Sequence, residues 1–179
     1  MMIEGEKIYM RETRESDWDI FAYWEKLPEV TRFFTINEGR DLMEIADEIR
    51  GRADDPTQID FTICNKRDDS PIGRIYISRI DLHYDSLDIT RIYIGEVGLR
   101  GLGLGEDAFR TVLKFAFEDM NCERVTLDYM TGNEPAHNLY LKCGLKDEGC
   151  MRHAGKKNGK YIDLNLMSIL RGEYVQIYK

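Results

Sequence analysis

The stretch from Asp88 to Glu118 constrains this chain more than any other. It reads Asp-Ile-Thr-Arg-Ile-Tyr-Ile-Gly-Glu-Val-Gly-Leu-Arg-Gly-Leu-Gly-Leu-Gly-Glu-Asp-Ala-Phe-Arg-Thr-Val-Leu-Lys-Phe-Ala-Phe-Glu. A β-branched run ends at Ile94, and a glycine-rich turn with Gly101, Gly103 and Gly105 follows. An amphipathic helix begins near Gly105, with Phe109, Val112, Leu113, Ala116 and Met120 on its apolar stripe and Arg110, Lys114 and Glu118 opposite. Glycines let the backbone approach a ligand closely. A helix start adds unpaired N–H groups and the positive end of the dipole. Strand, turn and helix together predict a phosphate or pyrophosphate site.

Three phosphate motifs compete for this turn. A P-loop needs Gly-Lys-Ser/Thr, and here Gly105 is followed by Glu106 and Asp107, which excludes it. Gly103, Gly105 and Ala108 satisfy the dinucleotide fingerprint, and Asp128 ends the next apparent strand, where a ribose-binding acid belongs. That fingerprint should open a series of βαβ units, whereas the preceding segments read as adjoining strands and too little chain follows. The third motif is Arg/Gln-x-x-Gly-x-Gly/Ala, filled by Arg100, Gly103 and Gly105.

A second block, Asn133-Glu-Pro-Ala136-His-Asn-Leu139-Tyr140-Leu-Lys-Cys-Gly144-Leu145, lies some thirty residues further on. The two blocks together resemble the GNAT N-acetyltransferases over nearly the whole chain, closest to the branch with the RimJ/RimL ribosomal-protein and spermidine acetyltransferases. Leu145 stands where that family usually has Phe, an apolar replacement. The resemblance implies an α/β (α+β) GNAT fold in one domain, residues 1–179. Its mixed central sheet would have about seven strands, with an antiparallel N-terminal meander and helices on both faces.

Composition narrows the function classes. The chain has 179 residues, 42% of them hydrophobic, enough for one domain with a real core. No run approaches the roughly 18 apolar residues of a membrane span. The charged start, Met1 to Arg14, shows no signal peptide, so a cytoplasmic location is expected. Cys64, Cys122, Cys143 and Cys150 form no C-x-x-C pair, so reduced, mostly buried thiols and no metal site are expected. The net charge of −8 argues against nucleic-acid binding and suits solubility, or a cationic amine acceptor.

Along the chain, Glu6 to Arg14 reads as a first strand with Ile8 and Met10 on one face. Ser16 reads as the N-cap of a helix to about Leu27 that Pro28 ends. Residues Glu29 to Asn37 look irregular, and a second helix covers Asp41 to Arg52. Strands Asp60 to Asn65, Pro71 to Leu82 and Leu87 to Glu96 have the short connections of a meander. Arg124 to Met130 should lie parallel to the last of these through a right-handed crossover. Asn133 caps a final helix that Gly144 stops. Leu145 to Arg152 and Tyr161 to Ile169 form a closing hairpin beside Asn158-Gly159, the surface expected to pair in a homodimer.

The resemblance also implies roles. Acetyl-CoA would be held at its diphosphate by the amides of Gly101, Leu102, Gly103, Leu104, Gly105 and Glu106 and by Arg100. The strand end Tyr93, Ile94, Gly95, Glu96 and Val97 would pair with the pantetheine, with Asn133 and Ala136 beside it. Glu106 and Asp107 are expected to point outward and stabilise the helix dipole. Tyr140 shares a helical face with Ala136 and Asn133 and is the candidate acid for the leaving thiolate. Glu96 is the candidate base. Phe33 and Phe34 fall in a segment that lies near the acceptor pocket in RimJ/RimL relatives, or they simply pack on the core. The implied activity is acetyl transfer from acetyl-CoA to a primary amine, such as a protein N-terminus or a polyamine, by direct attack in a ternary complex. The alternative is a catalytically silent acyl-CoA-binding module.

Overall fold

The structure is a computed structural model and describes residues 1–36 and 38–179. Eight strands form one sheet: β1 (Met2–Glu4), β2 (Ile8–Glu12), β3 (Ile59–Asn65), β4 (Pro71–Asp81), β5 (Ser86–Ile94), β6 (Arg124–Met130), β7 (Lys146–Lys157) and β8 (Lys160–Leu170). Their order is β1-β2-β3-β4-β5-β6-β8-β7, with every pair antiparallel except β5 and β6. The strand beyond the expected seven is β1. The single run read from Glu6 to Arg14 is instead the second arm of a hairpin, because the Asp107 carboxylate accepts the amides of Glu6, Lys7 and Ile8 and turns the chain there.

Helices cover both faces. On one, α4 (Leu104–Lys114, continuing as a wider turn through Asp119), α5 (Glu134–Lys142) and α6 (Arg171–Tyr178) enclose the larger core with Ile63, Ile75, Ile89, Leu127 and Ile169. Phe109, Val112 and Leu113 of α4 are fully buried there, each contributing about 1.5–3 kcal/mol. On the other face, α1 (Trp18–Trp24), α2 (Pro28–Thr31) and α3 (Leu42–Arg50) build a smaller core of Trp24, Phe21, Ile45 and Tyr93. Pro28 does not simply end the first helix. It opens α2, since proline at a first helical position sacrifices no hydrogen bond. Asn37, the end of the stretch expected to be irregular, lies outside the described residues. The C-terminal α6 has no counterpart in the sequence reading; stacking of Tyr174 on Phe117 holds it.

The sheet forks. β5 and β6 pair only at Ser86–Arg124, Leu87–Val125 and Asp88–Thr126. Beyond Asp88 the β5 edge facing β6 has no strand partner among the described residues. A bulge produces the split: the β4 register passes from Tyr76–Arg91 to Ile77–Ile89, leaving Thr90 unmatched, and such an extra residue bends its strand. Buried Asp88 marks the fork, accepting the hydroxyls of Thr90 and Thr126 at 2.8 Å each.

Entry to α1 runs through Asp17 rather than Ser16. Its buried carboxylate accepts both arms of the Arg11 guanidinium (2.7 and 2.8 Å), the Arg14 amide and the Thr62 hydroxyl. Burial by itself would raise this carboxyl, but those donors outweigh it and hold it below its ordinary value. A depressed folded pKa makes this contribution present above about pH 4 and lost as pH falls through the folded value. Melting curves of wild type and Asp17→Asn should therefore differ most at neutral pH and converge in acid. A gap that stays constant down to pH 3 would sink the assignment.

Candidate active site

The fork opens a cavity of about 830 Å³ that passes from one face of the sheet to the other. Gly101, Gly105, Asn133, Ala136 and Tyr140 line the end beside α4 and α5; Phe34, Glu48, Arg52 and Arg91 line the end beside α3, and Ile92 and Ile94 lie between. Sequence-distant residues meet here because β5 leaves β6.

At the glycine turn, Gly101 and Gly103 both adopt φ of +79°, a conformation that favours glycine, and Gly103 is the residue before α4. None of the amides from Gly101 to Glu106 has an acceptor among the described residues; the first bond is donated by Asp107 to the Gly103 carbonyl at 3.0 Å. Unbonded donors at a helix start are what an anion cradle would need. The acids next to it are not simply outward-facing. Glu106 pairs with Arg110 at 3.0 Å and with Lys142, and Asp107 caps the β1–β2 turn. The Arg100 guanidinium is occupied with carbonyls, donating to Ile94 at 3.0 and 3.2 Å and to Glu29 at 2.8 Å, so it clamps the turn onto β5 and α2. A cation the sequence reading missed, Lys7, reaches the turn and donates to the Leu102 carbonyl at 3.1 Å. Leu102 is exposed, whereas Leu104 is buried in the core.

At the strand end, the side chains of Tyr93 and Glu96 face α1, and the Gly95 backbone lies against it. The Tyr93 hydroxyl donates to Glu25 at 3.0 Å. Burial first, and then the Glu25 carboxylate, push its phenol well above its ordinary value. A Cβ on Gly95 would lie 2.1 Å from the Trp24 ring, so only glycine fits. The Trp24 indole donates to Glu96 at 2.9 Å, and Glu96 is not among the cavity's lining residues. Val97 is exposed and also off the cavity wall.

Tyr140 lies on the cavity wall, 8% exposed, against Phe109 and Tyr129 at centroid distances of 5.0 and 5.9 Å. Its hydroxyl has no hydrogen-bond partner among the described residues. Burial, followed by Tyr129 and Asp128, raises its phenol well above the ordinary value, so it stays protonated at every physiological pH. Asn133 caps α5 through a long 3.4 Å bond from the Ala136 amide. His137 bonds Asp147 and stacks on Tyr129. Asp128 lines the cavity without a hydrogen-bond or ion-pair partner among the described residues. Burial and the neighbouring Asp88 push its carboxyl above the ordinary value. Sequence reading weighed Asp128 only as a ribose-binding acid. The strand alternation that buries Leu127 and Tyr129 on the α5 side was the signal that it faces the other way.

The far wall is built from α2, α3, β4 and β5. Phe33 and Phe34 both reach the cavity, and Phe34 also packs on Tyr93 at 5.2 Å. Lys157, beside the hairpin tip, donates to the carbonyls of Thr31 and Arg32 at 2.6 and 2.9 Å and so pins this segment. Beneath lies a buried ion network that sequence reading did not find. Arg74, 0% exposed, binds Glu25 (3.2 Å), Glu48 (3.1 Å) and Asp60 (2.7 Å), and Arg40, Arg52 and Arg91 share the same carboxylates. Burial would raise the Glu48 carboxyl; Arg91, Arg40 and Arg74 hold it far below its usual range, so it is neither base nor free anion. Among the described residues no group of three His, Cys, Asp or Glu side chains is placed to hold a metal. No helix among them is long and apolar enough to cross a membrane.

A forked sheet with unbonded amides at a helix start at one end and a phenol at the fork is the frame of the site. Residues 7–146 match the family model described as Acetyltransferase (GNAT) domain, and the chain belongs to that family. It is an acyltransferase that uses acetyl-coenzyme A and an amine. A Bacillus licheniformis protein named uncharacterized N-acetyltransferase p20 is 24% identical, over 94% of this chain and 96% of its own. A Vibrio cholerae spermidine N(1)-acetyltransferase is 29% identical over 104 residues, 58% of this chain and 59% of its own. The crystal structure of spermidine N-acetyltransferase from Vibrio cholerae, in complex with CoA and spermine, superposes with a TM-score of 0.83 at 20% identity, covering 94% of this chain and 98% of the other.

Proposed function

We propose that this chain carries out direct acetyl transfer from acetyl-coenzyme A to a primary amine, both held in the fork, with Tyr140 as the proton donor. The observation that carries the reading is the Tyr140 hydroxyl, protonated and without a partner among the described residues, on the wall of a cavity that begins at the amide cradle. The residues fit the donor: unbonded amides for a diphosphate, an unpaired β5 edge for amide groups of an extended arm, and a passage leading to the phenol. Bound there, acetyl-coenzyme A supplies the thioester carbonyl and the leaving thiol.

The amides of Gly101 to Glu106 hold the diphosphate, and Lys7 adds a positive charge beside them. Arg100 keeps the turn in place by binding Ile94 and Glu29. Asn133 and Ala136 line the arm's path. Tyr140 delivers its proton to the departing sulfur. Asp128, the carboxylate on the cavity wall, takes the proton of the incoming ammonium, and its raised pKa suits that task. Glu96 acts one step removed: its bond to the Trp24 indole keeps that ring against Gly95 and the strand end straight, and any proton it receives comes through water. The two motif blocks support a place near the RimJ/RimL-like enzymes. The outer edge of β7, unpaired among the described residues, supports a homodimer through the closing hairpin.

Thermal shift tests the binding half. Coenzyme A at a hundredfold excess over its Kd should add about 2.7 kcal/mol, or about 5–10 °C for a chain of this size, and NAD should add nothing. Free-thiol release with an amine panel tests the rest. A shift by coenzyme A without thiol release from acetyl-CoA would favour a silent binding module, and a shift by NAD alone would end the reading.

A further inference from the structure

The far wall of the cavity carries more positive charge than its own carboxylates neutralise. Four guanidiniums, Arg40, Arg52, Arg74 and Arg91, share three carboxylates, Glu25, Glu48 and Asp60. Arg40 and Arg74 direct all three of their guanidinium nitrogens at those acids. Arg52 and Arg91 commit only Nη1, at 3.2 Å and 3.1 Å to Glu48, leaving Nε and Nη2 without an acceptor among the described residues. These two arginines are the network cations that line the cavity. Arg52 lies over the Tyr76 ring, 3.5 Å from its centroid, and Arg91 over Phe34 at 5.6 Å, so both guanidiniums rest on aromatic rings of the wall. Arg32 lines the same end and has no carboxylate partner among the described residues. Excess charge in a half-buried site is costly unless an anion completes it, and a flat guanidinium with two free N–H groups matches a carboxylate in two-point contact.

We infer that the acceptor is a primary amine that also carries a carboxylate, received by Arg91 and Arg52 with Arg32 at the rim, while its amine faces Asp128. This rests on the acetyl-transfer reading and narrows its substrate class. A polyamine would bring further positive charge to a wall where Arg32, Arg52 and Arg91 outnumber Glu29, its one carboxylate outside the network, and Glu48, held by arginines, adds no free anion.

The test is thiol release from acetyl-CoA with ω-amino acids of increasing length, each compared with the alkylamine and the diamine of the same length, with spermidine alongside. The amine pKa is closely matched within the longer sets, so the far group decides the result. At the best length the amino acid should exceed the alkylamine in kcat/KM by about tenfold or more, as a charged two-point contact allows. The diamine should rank last. Arg91→Gln and Arg52→Gln should collapse the preference for the acid over the alkylamine toward unity, and exposed Arg32→Gln, which leaves the buried network intact, should reduce it. Coenzyme A thermal shift reports whether each variant is folded. Spermidine or a diamine as the best acceptor, or a preference that survives all three variants, would overturn the inference and leave acetyl transfer standing. Thiol release from no amine, with coenzyme A still bound, would fail both.

Discussion

Tyr140→Phe is expected to lower kcat about a hundredfold, the low end of what a positioned general acid supplies, because a thiol is already a fair leaving group. Affinity for coenzyme A should stay within about twofold, since the ring keeps its packing on Phe109 and Tyr129. Stability should be unchanged as well. The hydroxyl has no partner among the described residues, so removing it breaks no internal bond and leaves no orphaned acceptor. That pattern of large kcat loss, constant coenzyme affinity and constant Tm separates an acid from a tyrosine that merely anchors α5. Full turnover in the phenylalanine variant with a good acceptor would remove Tyr140 from the chemistry.

Arg74→Met should destabilise the fold more than any surface change. Breaking a buried ion pair by removing one partner costs about 3–5 kcal/mol, because the remaining charges stay buried without it. Here Glu25 is 1% exposed and Asp60 is 8% exposed on its side chain, so neither turns to water. Glu25 retains Arg40 and the Tyr93 hydroxyl, which keeps the expected loss inside that range. For a chain of this size it corresponds to a drop in Tm of about 6–20 °C. Calorimetry at neutral pH measures it, and a loss below about 1 kcal/mol would show that the network relaxes around the gap. The same substitution should weaken acceptor binding, because Arg74 holds Glu48, which in turn orients Arg52 and Arg91.

Sequence and structure divide cleanly at particular residues. The glycine turn was legible since Arg100, Gly101, Gly103 and Gly105 are neighbours whose spacing alone sets the positive φ angles and the helix start. The face shared by Asn133, Ala136 and Tyr140 was legible for the same reason, helical phase. Glu96 shows the limit. It was read as the last residue of a strand that in fact ends at Ile94, and its partner, Trp24, lies 72 residues away; only the packing of α1 on the sheet turns the carboxylate away from the cavity wall. Asp107 is similar, since its role at the β1–β2 turn depends on α4 docking across the first hairpin. The short β1, the α2 turn after Pro28 and α6 carry too little local signal to stand out, and long-range contacts hold them.

The contiguous motifs by themselves therefore determined the family scaffold, the proposed coenzyme end of the site and the candidate acid, because each depends on backbone geometry within a few residues. Tertiary structure alone decided the proposed acceptor end. A bulge at Thr90 opens the sheet, and strand register then brings Arg91, Arg52, Glu48, Phe34 and Asp128 to one cavity from four separate segments. A net charge of −8 suited solubility or a cationic acceptor, yet the cavity wall around Arg52 and Arg91 is positive. Electrostatic energy falls off with distance and solvent screening, so the charges that choose a ligand are the few that folding places around it, not the sum along the chain.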